Sequence, residues 1–158
     1  MITARLELRR IPAAAAHALP GDREAAAQML GAELPAEWPL PDLLDVLPSQ
    51  AAGRERFGAW VMIERENGIV VGDVGFLGPP GGDGVVEIGY SVVPDRRGRG
   101  YAAEAARAMA KWALAQDGVR AVAAGCAPDN AASIRTLERA GFRQTGTAAG
   151  GEIRWIRS

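Results

Sequence analysis

Asp95-Arg96-Arg97-Gly98-Arg99-Gly100-Tyr101-Ala102-Ala103-Glu104-Ala105 stands between an apolar run closed by Pro94 and the most regular helical pattern in the chain. From Gly100 to Gln116, the residues Ala102, Ala105, Met109, Trp112 and Ala113 recur at helical spacing, and Gly118 follows. The first N–H groups of a helix have no partner within it, and the helix dipole adds about half a positive charge there. Gly98 and Gly100 carry no Cβ, so a ligand can come close to the main chain. Arg96, Arg97 and Arg99 add cationic, fork-shaped donors. The local chemistry asks for a multiply charged phosphate.

On either side of this segment, Val85 to Val93 and Val119 to Ala127 read as strands, and the helix between them makes them a parallel pair. Upstream, Ala59–Ile63 and Ile69–Leu77 read as strands joined by a tight turn at Asn67-Gly68. Leu6 to Ile11 alternates apolar and charged residues and stops at Pro12, as a first strand would. Asp22 caps a helix through Ala26, Met29 and Leu30 that ends near Gly31. Pro41 opens a second helix with Leu43, Leu44, Val46 and Leu47. Downstream, Asp129 or Asn130 caps a helix through Ile134 and Leu137, closed by Gly141. Phe142–Thr147 and Glu152–Ile156 form a last hairpin around Gly150-Gly151. The order is β-α-α-β-β-β-α-β-α-β-β, a mixed α/β sheet, read as one domain over residues 1–158.

Composition removes several classes of function. Of 158 residues, 48% are hydrophobic and 23% charged, so the chain can bury a core. A formal net charge of −1 argues against a general nucleic-acid binder. One cysteine (Cys126) and one histidine (His17) leave no disulfide framework and no His- or Cys-rich metal centre, so no metal is expected. No apolar run is long enough to span a membrane, and a cytoplasmic protein is expected.

Two motifs compete for the phosphate loop. Gly98-x-Gly100-x-x-Ala103 fits a dinucleotide-binding pattern. That pattern belongs to the first strand–helix turn and needs an acid about 20 residues on. Here several strands precede it, and Val119 to Cys126 contains no acid. Arg97-x-x-Gly100-x-Ala102 instead resembles the Q/R-x-x-G-x-G/A loop of the GNAT superfamily of N-acetyltransferases. The surrounding Val86-Glu87-Ile88-Gly89-Tyr90-Ser91-Val92 agrees, as does the downstream segment from Pro128 and Asn130 through Ser133, Leu137 and Gly141-Phe142. This version is most similar to the branch containing the ribosomal-protein alanine N-acetyltransferases. The resemblance is strong over residues 85–143 and weak before residue 57.

The resemblance implies a GNAT-like α/β (α+β) fold: a mostly antiparallel sheet of about seven strands with helices on both faces. It implies acetyl-CoA as cosubstrate and a primary amine, on a peptide N-terminus or a small molecule, as acceptor. The amine would attack directly in a ternary complex. Relatives are often dimers, which leaves room for a homodimer. The pyrophosphate would sit on the loop N–H groups of Arg97, Gly98, Arg99, Gly100, Tyr101 and Ala102, with the pantetheine arm along Val92 and Val93. Asn130 is either a helix cap or a coenzyme contact.

An ammonium must lose a proton before it attacks a thioester. Near neutral pH that costs about 4–5 kcal/mol for a lysine-type amine and about 1–1.5 kcal/mol for an α-amine. Glu87 is the candidate base, as a strand glutamate on the face opposite Val86 and Ile88; the plain alternative is an arginine-paired surface carboxylate. A backbone N–H near Val92 or Val93 can hold the oxyanion. Many relatives carry a tyrosine acid where this chain has Leu137. Ser133 can donate to the thiolate instead, or make only a local backbone bond. Trp38 either packs between prolines or rims the acceptor cleft. Residues 31–48 hold Glu33, Glu37, Asp42 and Asp45 and no basic residue, which would attract a cationic acceptor. The alternative function is a non-catalytic acyl-CoA-binding or sensor module, which needs the loop but no base.

Overall fold

In β1 (Leu6–Arg10), Leu6 and Leu8 are buried while the charged residues between and after them are not, and the strand lies at one edge of the sheet. The computed structural model describes residues 1–41, 43, 44, 47 and 56–158. After Pro12 the chain forms a short helix, α1 (Ala13–Ala18), where the pattern reading has no element. A run of alanines shows no apolar–polar contrast, yet alanine has the best helix propensity. The next helix, α2 (Arg23–Leu30), follows the expected punctuation: the Asp22 side chain accepts from the Ala25 N–H, and Gly31 adopts a left-handed conformation at its end. The helix expected from Pro41 falls partly on residues 42, 45 and 46, which lie outside the described residues.

Strands β2 (Ala59–Glu64), β3 (Val70–Phe76) and β4 (Val85–Val92) follow as an antiparallel meander. The turn between β2 and β3 is wider than the two-residue Asn67-Gly68 turn expected. Glu64 N–H pairs with Ile69 O, and Gly68 N–H returns to Glu64 O at 2.8 Å, which makes a loop of Arg65 to Gly68. Asn67 closes it from its side chain, accepting from the Ile69 N–H at 3.1 Å. Then come one 3₁₀ turn (Pro94–Arg96), α3 (Tyr101–Leu114), β5 (Ala121–Cys126), α4 (Ala131–Arg139), β6 (Arg143–Thr147) and β7 (Ile153–Arg157).

The sheet has seven strands in the order β1-β2-β3-β4-β5-β7-β6. Among the described strands, only β4 and β5 pair in parallel. Both faces are covered. On one, Met109, Ala110 and Ala113 of α3 and Leu137 of α4 pack on Met62, Val74, Phe76 and Ile88. On the other, Leu19, Leu30 and Trp38 pack on Val61, Ile63 and Val70. This is why every residue of β2 is buried: a strand covered on both sides loses its alternation. Among the described residues, no helix is long and apolar enough to cross a membrane.

The parallel pair makes the feature that matters. β4 and β5 pair only over Val85↔Ala121 to Glu87↔Ala123, three of the eight residues of β4. Beyond Glu87 the two strands part, and the β5-facing edge of Ile88 to Val92 has no described strand beside it.

Candidate active site

The opening between β4 and β5 leads into a cleft of about 530 Å³. Its floor is the loop that joins β4 to α3. Gly98 (φ 74°) and Gly100 (φ 82°) both take left-handed conformations, which cost an L-residue with a Cβ about 1–2 kcal/mol. These two reversals set the chain across the start of α3. Gly100 is the N-cap and offers no side chain, so the first N–H groups of the helix are left for a ligand.

The loop is held from behind. Glu64, buried at the end of β2, accepts a hydrogen bond from the Tyr101 hydroxyl and pairs with Arg96 at 2.8 Å. The Tyr101 hydroxyl, above all, holds the Glu64 carboxyl below its usual range, against the opposing effect of burial. Glu104 looks toward β1: Thr3 Oγ1 donates to it at 2.6 Å and Arg5 pairs with it at 2.8 Å. Burial alone would raise its pKa, but these donors outweigh that and lower it. Glu104 is thereby paired with a cation away from the cleft.

Of the sequence candidates, Val92, Arg97, Gly98, Gly100, Tyr101 and Ala102 line the cleft from the β4–α3 side. Ala102 therefore faces this opening, while Ala105, Met109 and Ala113 of the expected apolar stripe go to the core. Asn130 and Ser133 line the cleft from α4. Arg99, Val93 and Glu87 do not border it. Arg99 folds back on the Asp95 carbonyl at 3.2 Å. Val93 is buried, and its N–H donates to Val71 O at 3.0 Å. Alternation along the strand then turns the Val92 N–H and carbonyl to the open edge. Of the two backbone donors considered for an oxyanion, Val92 is the one left. Its carbonyl accepts from Arg97 Nε at 2.9 Å.

Glu87 sits at the last rung before the strands part, opposite Ala123. It lies on the face away from buried Val86 and Ile88, as strand alternation requires. There it pairs with Arg154 Nη1 at 3.0 Å, and Glu152 shares that guanidinium at 2.9 Å. On α4, Asn130 caps the helix by accepting from the Ser133 N–H at 3.0 Å. Ser133 Oγ also shares a 2.8 Å hydrogen bond with the Tyr90 hydroxyl. Burial, eased by that bond, raises the Tyr90 pKa, so the phenol keeps its proton at neutral pH. Leu137, at the place of the absent tyrosine, is fully buried.

Sequence reasoning missed three groups. Arg135 and Arg139 of α4 line the cleft alongside Arg96 and Arg97, and no described acid lines it. Their i, i+4 spacing on the helix after β5 was the available signal. Tyr90 borders the cleft from β4, and an aromatic strand residue gives no local sign of whether it faces core or cleft. Asp73, the one acid of β3, is buried at 6% exposure on the opposite face of the sheet. Its neighbour Trp38 is fully buried there, which settles its two readings in favour of packing. Glu33 and Glu37 are exposed, and Asp42 and Asp45 lie outside the described residues. Cys126 is buried and accepts from Trp155 Nε1, and His17 is an exposed residue of α1. Among the described residues, no three His, Cys, Asp or Glu side chains gather as a metal site.

Comparison with known proteins agrees with this geometry. The model of the acetyltransferase (GNAT) domain matches residues 5–143, and the chain belongs to that family of acyltransferases. It is 34% identical over 146 residues to an uncharacterized N-acetyltransferase of Bacillus subtilis, YjdG, covering 89% of this chain and 87% of that one. A GNAT-family acetyltransferase structure from Bordetella pertussis superposes with a TM-score of 0.70 at 25% identity, over 100% of this chain and 98% of that chain. RimL, a ribosomal L7/L12 alpha-N-protein acetyltransferase solved with coenzyme A, has the same fold at 16% identity (TM-score 0.70, 99% and 96% coverage). Family membership implies acetyl-CoA-dependent acetyl transfer.

Proposed function

We propose that the protein moves an acetyl group from acetyl-CoA to a primary amine, a peptide N-terminus or a small molecule, by direct attack in a ternary complex. The observation that carries this is the cleft itself: a helix N-terminus without a side-chain cap, two left-handed glycines, and four arginines with no described acid among them. That donor set fits the diphosphate of a coenzyme. Acetyl-CoA supplies an acyl group already activated as a thioester.

The N–H groups from Arg97 to Ala102 bind the diphosphate, with Arg97 adding charge. Arg97 Nε leaves the Val92 carbonyl when an extended ligand arm pairs with that edge of β4. The Val92 N–H holds the acyl oxygen as negative charge develops on it. The amine nitrogen gives up one proton and forms the new C–N bond, while a proton reaches the departing sulfur. Ser133 Oγ, backed by the Tyr90 hydroxyl, stands in the cleft as the donor on the sulfur side. Glu87 stands at the fork of the strands as proton acceptor, acting through water, with Arg154 orienting it. Asn130 positions Ser133 by its cap and contacts the coenzyme.

Calorimetry with CoA, NAD and ATP tests the binding half: CoA should bind tightest, and tighter NAD or ATP binding would defeat it. Thiol release from acetyl-CoA with amine acceptors tests the transfer. Glu87→Gln should lower turnover with CoA affinity intact; a wild-type protein that binds CoA but acetylates no amine is a sensor instead.

A further inference from the structure

Asp73 has no part in the cleft, yet its surroundings are those of a binding group. Its Oδ2 accepts both the Trp38 Nε1–H at 2.9 Å and the Ser91 hydroxyl at 2.7 Å. Oδ1 receives no hydrogen bond from the described residues. No described cation pairs with the carboxylate. A carboxylate removed from water without a counter-charge is unfavourable, and burial pushes Asp73 from 3.8 up to about 6 despite its two donors. At neutral pH it is therefore a buried anion with no cation beside it among the described residues.

It also lines a second cavity, of about 250 Å³. Leu40, Leu43, Ala59, Val74 and Leu77 form an apolar wall there, and Asp73 is the one carboxylate among the described lining residues. Tyr90 and Ser91 border both this cavity and the coenzyme cleft, so β4 alone stands between the two spaces.

We propose that this second cavity is the acceptor subsite, that Asp73 Oδ1 docks the acceptor's ammonium group before its proton passes through water to Glu87 and the freed amine attacks, and that the acceptor is a small primary monoamine with an apolar body. The assignment rests on the acetyl transfer proposed above and adds the substrate class. One buried charge matches one carboxylate. A second ammonium, as in a polyamine, would lie against leucine side chains with no partner. The volume falls below the range of about 300–1,000 Å³ usual for drug-sized ligands, which points to a short amine. The site is also adjacent to the strand edge where the acyl group must lie.

Two substitutions probe it independently. Asp73→Asn keeps the acceptor oxygen for Trp38 and Ser91 but removes the charge. Gly89→Val fills the cavity from β4: a Cβ at Gly89 meets nothing within 4 Å, and the residue has no positive φ to strain. Thiol release would be followed with hexylamine, spermidine and an alanine-starting tripeptide as acceptors, alongside calorimetric CoA binding for each variant. A charge-assisted hydrogen bond is worth about 10- to 100-fold in affinity. The expected result is a hexylamine KM raised by about that factor in Asp73→Asn, a similar loss in Gly89→Val, and unchanged CoA affinity in both. Hexylamine should exceed spermidine and the peptide in kcat/KM. Unchanged hexylamine KM in both variants overturns the assignment, as does a peptide or spermidine preferred over hexylamine. Wild-type protein that does not bind CoA at all sinks the transfer reading beneath it, a separate and distinguishable failure.

Discussion

Replacing Asp73 by asparagine should make the protein more stable at neutral pH, by an amount that depends on pH in a set direction. An aspartate in an unfolded chain ionises near 3.9, whereas burial lifts Asp73 to about 6 in the native state. Between those values the native protein binds more protons at this site than the unfolded chain. Stability contributed by this group is therefore largest at low pH and falls as pH rises through the window from about 4 to about 6. A tenfold change in ionisation is about 1.4 kcal/mol, so the two-decade gap costs the native state about 3 kcal/mol at pH 7.5. Asparagine has the same shape and still accepts from Ser91 and Trp38, but it has nothing to ionise. The difference in unfolding free energy between Asp73→Asn and the wild type should be near zero at about pH 4. It should then grow to about 3 kcal/mol in favour of the variant by pH 7.5. Urea titrations of both proteins at four pH values would measure it, since acid titration of other carboxylates is common to both and cancels. A difference that stays constant from pH 4 to 7.5 would refute the reasoning, because it would mean that Asp73 titrates alike in the folded and unfolded chain. A costly group of this kind persists where activity needs it.

Three further outcomes follow from the cleft. Gly98→Ala should cost about 1–2 kcal/mol in thermal or urea unfolding from its left-handed backbone. It should also weaken CoA binding by more than about tenfold, because a Cβ would stand in the diphosphate cradle; full CoA affinity would show that the cradle is elsewhere. The double variant Arg135→Ala, Arg139→Ala should raise the calorimetric Kd for CoA about tenfold at low salt and flatten its rise with added sodium chloride. Glu64→Gln should destabilise the fold by about 1–3 kcal/mol at pH 7 by loosening Arg96 and Tyr101. Because the native Glu64 pKa is lowered, its contribution is complete above the unfolded value of about 4.3 and fades as pH falls through the native value. Urea unfolding of that variant at pH 7 and pH 4 should show the gap closing in acid.

Local rules were enough for most of the architecture. Asp22 and Gly31 bracket α2, Asn130 and Gly141 bracket α4, and the helix between two apolar runs forces β4 and β5 to run parallel. Each of these features is set by a side chain or a glycine acting on its own neighbourhood. The loop from Arg97 to Ala102 belongs to the same class, since its chemistry is backbone N–H groups, missing Cβ atoms and nearby arginines. Where contrast was lacking, local reading failed: Ala13–Ala18 is helical without an amphipathic signature, and the Asn67-Gly68 turn widened because Asn67 bonds both Ile69 and Glu64.

Sequence by itself determined the glycine and arginine loop, most of the elements and the family, because these depend on residues close together in the chain. Only the tertiary structure decided what lies across the sheet. It pairs Glu87 with Arg154, 67 positions away. It brings Tyr90 to Ser133 over 43 positions and Trp38 to Asp73 over 35. Those meetings follow from strand register and from which face each residue takes once both faces are covered. An acid in the middle of β3 is, in the one-dimensional string, merely a break in an apolar run; burial beside Trp38 and Ser91 is what turns it into a group that wants a cation.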